Sequence, residues 1–98
     1  MNPSPTSHLP LQQEIGTLPW SELQPHFARG VVIAVVPQLE LIAVAAAMVA
    51  DDMVTVSRWL TEQQIAPVSD TQAKTWWDDN TQLLSIVVAP WVLVQEPK

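Results

Sequence analysis

The sequence predicts a single small α+β domain, mostly helical, with a two-stranded sheet (strands near 31–36 and 85–94) packed under its helices. Three observations carry that expectation. Val31–Val36 and the closing stretch Leu83–Glu96 are rich in β-branched residues, which suit a pleated, buried surface. Leu39, Ile42, Ala46, Val49, Met53, Val56 and Leu60 recur three and four residues apart, which places them on one helix face. Ser69 followed by Gln72 is the capping-box pattern that opens a further helix.

Residues 1–10 hold Pro3, Pro5 and Pro10 among Ser, Thr and Asn, and read as a flexible arm before a single domain at 11–98. Leu11–Ile15 suits a short helix stopped by Gly16. In Thr17-Leu18-Pro19-Trp20 a polar cap precedes a proline, as at a helix entry. Pro25 has no amide donor and should break a helix running on to Arg29, leaving two short turns closed by Gly30. Gly30 and Pro37 bracket the first strand. Beyond Pro37 the helical period begins, and Asp51-Asp52 either lie on the wet side of one long helix or start a second one. Both versions turn Asp51, Thr55, Arg58 and Glu62 to solvent. The helix after Ser69 carries Ala73, Trp76 and Trp77 and runs into Asp78-Asp79-Asn80. Pro90 cannot donate to a ladder and marks an edge or a bulge. Two strands alone make a poor sheet, so either the helices cover one face or two chains pool their strands across a two-fold axis.

Composition narrows the function classes. Ten acidic residues against four basic ones give a net charge of −6, too few cations to neutralise a row of phosphates or to hold an anionic membrane surface. The chain has no cysteine, which removes disulfides, thiol nucleophiles and thiolate metal sites and fits a reducing compartment. The first residues have no basic or apolar signal region. From Val31 to Ala50, seventeen of twenty residues are apolar, but Pro37, Gln38 and Glu40 interrupt them. A central acid costs a membrane span about 2.5–3.5 kcal/mol, so a strand followed by a buried helix explains the segment better than a span. Five tryptophans give a large apolar area for 98 residues, in a dense core or at an interface.

The candidate binding residues are His26, Arg29, Asp51, Asp52, Trp76 and Trp77. Arg29 has the planar fork that clamps a carboxylate or phosphate, although an ion pair to Asp51 or Asp52 with His26 at the surface is the plainer role. Asp51-Asp52 offers two oxygen donors to a divalent cation. No third ligand is placed by spacing, and neighbours on a helix diverge by about 100°, so capping or solvation is favoured. Two successive tryptophans on one helix cannot face the same core, so one of Trp76 and Trp77 is core and the other partly exposed, an anchor for a partner if one covers it. With two glycines in the chain, neither a phosphate loop nor a dinucleotide fingerprint can be built. No catalytic residues, metal or cofactor are assigned.

Trp20-Ser21-Glu22-Leu23, His26-Phe27-Ala28-Arg29-Gly30, the 39–52 helix, Arg58-Trp59-Leu60, 69–76 and Val88–Glu96 together make the chain similar to the prokaryotic family catalogued as domain of unknown function 2288. The resemblance implies a small, soluble, stand-alone bacterial protein of the cytosol, and brings no activity, cofactor or catalytic residue with it. The expected function is a non-enzymatic accessory module that binds a protein partner or a second copy of itself. The alternative is a small-ligand binder or minor enzyme in which His26, Arg29, Asp51 and Asp52 converge on one pocket.

Overall fold

A computed structural model of the chain describes residues 15–97. The proline-rich arm, His8 and all but the last residue of the short helix expected at 11–15 lie outside the described residues. The described chain runs β1 (Gly16–Pro19), α1 (Trp20–Ala28), β2 (Val32–Val35), α2 (Leu41–Val49), α3 (Met53–Thr61), β3 (Ile65–Pro67), α4 (Asp70–Asp79), β4 (Gln82–Val88) and β5 (Trp91–Gln95).

The two-stranded sheet is overturned. The strands form one five-stranded mixed sheet in the order β1-β4-β5-β2-β3, in which β5 and β2 are parallel and the other pairs antiparallel. One chain supplies every strand, so the sheet needs no second copy. What was expected as a single strand at 85–94 is two, β4 and β5, joined through a cis Ala89–Pro90 peptide. Pro90 therefore lies in a hairpin turn, at neither an edge nor a bulge. The strands missed in the sequence, β1 and β3, are the two sheet edges. Each is short and ends in a proline, Pro19 or Pro67, a residue that sheets admit at edges and that hides a strand from propensity.

Alternation along the strands divides the core in two. On one face Val32, Leu83, Val92 and Val94 pack with Trp20 and Leu23 of α1 and Ala73 and Trp76 of α4. On the other, Val35, Ile65, Ile86 and Leu93 pack with Leu41, Val44 and Ala45 of α2. Helices thus lie on both faces of the sheet. Val92, Leu93 and Val94 of central strand β5 are all buried, the continuous apolar pattern of a strand covered on both sides.

The first core is aromatic. The Trp20 ring lies 5.3 Å from Trp76 and 5.6 Å from Phe27, both tilted. Each buried indole has a partner: Trp20 Nε1 donates to Gln24 Oε1 at 2.8 Å, and Trp76 Nε1 to Glu96 Oε2 at 2.9 Å. Pro25 does not break α1. The amide it lacks would have reached only the carbonyl of Ser21, on the exposed side, while Trp20 and Leu23 hold the other side in the core. Ser69 caps α4 as expected, accepting from the Gln72 amide at 3.1 Å, with the Gln72 side chain returning to the Ser69 amide.

Of the two versions open at Asp51-Asp52, the structure has the second: residues 41–61 form two helices. The shared apolar face does not hold throughout, since the buried residues of α2 are Leu41, Val44 and Ala45, while Ala46 and Val49 face solvent. The break is a helix terminator. The Asp52 amide bonds the Ala47 carbonyl and the Asp51 amide that of Met48, with Asp51 left-handed at φ 59°. This is the Schellman pattern. It recurs at all four described helices, with Gly30, Asp51, Gln63 and Asn80 in the left-handed position.

Candidate functional site

The site begins at the turn between α2 and α3. Asp51 closes one helix and Asp52 opens the next: its carboxylate accepts from the Thr55 amide at 3.2 Å and from Thr55 Oγ1 at 2.8 Å. The Thr55 hydroxyl, then the Thr55 amide, hold the Asp52 carboxyl below the ordinary aspartate range; desolvation opposes them, and the nearby Arg58 charge adds a smaller lowering effect. The capping role expected for the pair is thus the one Asp52 performs.

Beyond this turn α3 runs beside the sheet without sinking into it. Val56 and Trp59 pack against the second core, but Met53 is 61% exposed, Val54 79% and Leu60 45%. Between α3 and the β4–β5 turn lies a groove of about 510 Å³. Met53, Val56 and Leu60 form one wall, Val88 to Trp91 another, and Ile33, Ile65 and Ala47 belong to the rest of the lining. Among the described residues Asp51 and Asp52 are its only titratable lining residues, both at the end where α3 begins.

The residues singled out in the sequence are distributed as follows. Asp51 and Asp52 line the groove. His26, half-buried, and Arg29, exposed, belong to the last turn and cap of α1, which packs on the other face of the sheet, and they do not line it. Among the described residues no hydrogen bond or ion pair links either of them to Asp51 or Asp52. Trp76 is core and Trp77 is 56% exposed, the division expected for neighbours on a helix. Trp77 lines a separate shallow cavity of about 260 Å³ with Gln24, Ala73 and Lys74. The nearby Asp78 pairs with Lys74 at 3.0 Å on the exposed helix surface. Among the described residues no three His, Asp or Glu side chains gather to hold a metal ion, and no helix is long and apolar enough to cross a membrane.

Sequence reasoning missed Trp91 and the hairpin wall, and it set Met53 and Leu60 on one apolar helix face with Leu39, Ile42, Ala46, Val49 and Val56. A signal against that shared face was present: Asp51-Asp52 interrupts the stripe, and a nine-residue helix with apolar side chains on more than one side cannot bury them all against one sheet.

A three-layer domain with an open mixed sheet, carrying an apolar groove with an acidic end, is the class of protein that fold and site define. The chain belongs to the family of proteins of unknown function DUF2288, whose family model matches residues 7–96. It is similar to PA1075 from Pseudomonas aeruginosa, whose solution NMR structure superposes with a TM-score of 0.81 at 39% identity, over 90% of this chain and 82% of PA1075. No match is found among the curated proteins.

Proposed function

We propose that this domain is a non-enzymatic protein-interaction module of the bacterial cytoplasm, engaging a partner polypeptide through the groove between α3 and the β4–β5 turn. The observation that carries the proposal is the state of α3. Alone among the four described helices it has no fully buried residue, although Met53, Val54, Val56, Trp59 and Leu60 make five of its nine residues apolar. Three of these, Met53, Val54 and Leu60, are exposed on one short helix, the kind of apolar surface that marks an interaction site when it is grouped. The volume of the groove also falls in the range of small-molecule sites, roughly 300–1,000 Å³. Val49 and Val54, however, are exposed apolar side chains outside its lining, and a small molecule in the groove would leave them bare. A polypeptide, unlike a small molecule, is long enough to extend past the groove onto such side chains. The lack of cysteine suits the reducing compartment named in the proposal.

The test is native mass spectrometry of the protein purified gently from its own host, beside the variant Met53→Gln/Leu60→Gln. A bound polypeptide or second copy on the unaltered chain, absent from an equally folded variant, supports the module. A clean monomer in both samples counts against it, and a small adduct on the unaltered chain would replace it with ligand binding.

A further inference from the structure

Resting on that reading, we infer that the partner presents an apolar segment flanked by lysine or arginine, with the basic end seated at Asp51 and Asp52. The apolar part of the contact runs from Met53 to Leu60, eight residues of helix spanning about 10 Å, which matches two turns of a partner helix using apolar anchors at i, i+3 or i+4, and i+7. Among the described residues the titratable side chains that line the groove are of one sign: they are Asp51 and Asp52, and both are exposed. Arg58, in the second turn of α3, is near enough to act on the Asp52 charge, but it does not line the groove and forms no ion pair with either aspartate among the described residues. The chain as a whole carries −6, so long-range attraction favours a basic partner and opposes a second copy of the same chain.

The fold does not require these two charges. Position 51 requires a residue that tolerates the left-handed conformation, and Asn does so as well as Asp. Position 52 requires an N-cap acceptor, and Asn ranks equal to Asp there. Asp51→Asn/Asp52→Asn therefore removes both charges while keeping the turn, and separates recognition from folding.

The probes are two synthetic amphipathic helices with one leucine and tryptophan face, one flanked by lysines and one by glutamates. Each is titrated into the full chain while the amide NMR resonances are followed. The lysine-flanked helix should shift resonances concentrated at 51–60 and 88–91. Its affinity should fall about three- to tenfold in Asp51→Asn/Asp52→Asn, and also with added salt, as for exposed charge pairs. Equal binding of both helices, unaffected by the variant, would overturn the basic partner and leave the docking face standing. Binding of neither would overturn both. Self-association of the chain through this face, strengthened in the double variant and read by sedimentation without peptide, would make a second copy the occupant and overturn the basic partner.

Discussion

If α3 displays Met53 and Val54 for a partner, removing their apolar side chains should leave folding nearly untouched. The double variant Met53→Gln/Val54→Gln tests this, since Gln propagates a helix as well as Met and better than Val. Fully burying either side chain would be worth about 2 kcal/mol. Met53 is 61% exposed and Val54 79%, so less than half of either leaves water on folding, and the pair contributes about 1 kcal/mol at most. The control is Leu93→Ala. Leu93 is fully buried in the core beneath α2, where such a truncation costs about 2–5 kcal/mol through lost transfer energy and the cavity left behind. Urea denaturation at unchanged slope reads both losses, and in a domain of this size each kcal/mol moves Tm by about 4–8 °C. A loss in the double variant equal to that of Leu93→Ala would show α3 to be sealed into the core, and the docking face would lose its basis.

Three further outcomes are expected. Gln63 closes α3 with φ 61°, a conformation that costs an L-residue about 1–2 kcal/mol and glycine nothing; after the added chain entropy of glycine, Gln63→Gly should stabilise by about 0.5–1 kcal/mol, and Asn80→Gly by less, both by thermal denaturation. The buried Gln95 donates through Nε2 to the carbonyls of Val36 and Leu39, so Gln95→Leu leaves both without that donor and should cost about 2 kcal/mol in the same assay. Asp52 is held more acidic in the folded chain than unfolded, so its contribution is fully present above the ordinary aspartate value of 3.8 and is lost as pH falls through its folded value. The carboxyl carbon of Asp52 should titrate below 3.8, and Asp52→Asn should flatten that part of the stability profile while keeping the cap.

The legible parts of the sequence were those in which local chemistry alone decides the structure. Ser69 and Gln72 cap α4 because both halves of the bond lie within one turn, and Val32–Val35 forms a strand because the run around it is mostly β-branched and is bracketed by Gly30 and Pro37. The hairpin was harder: 86–94 is apolar apart from Pro90 because both faces of β4 and β5 are largely covered, so the proline is the one sign of the turn and reads equally as an edge or a bulge. The edge strands depend on long-range pairing, β1 with β4 and β3 with β2, which local propensity does not encode. The acidic end of the site was legible as residues and the groove was not. Asp51 and Asp52 could be named, but the walls facing them come from 53–60 and 88–91, which only the fold brings together.

The groove itself follows from unequal filling of the two layers. On the first face, Trp20, Trp76 and Phe27 are large enough to span the space between sheet and helices, and two indole hydrogen bonds fix them there. Most of the excess tryptophan that suggested an interface is therefore structural, with Trp77 and Trp91 left at the surface. On the second face α2 is built largely of alanine: Ala43, Ala45, Ala46 and Ala47. Small side chains let α2 lie close to the sheet, with Val44 and Ala45 fully buried, but they offer α3 little to pack on. The terminator at Asp51 then redirects the chain, and α3 settles on Val56 and Trp59 alone. Gly30, Ala47 and Ala89, all small, contribute to the lining and leave the volume between α3 and the hairpin unfilled. The acidic groove thus arises from a thin helix layer, and the unfilled volume beside α3 is what the proposed partner would occupy.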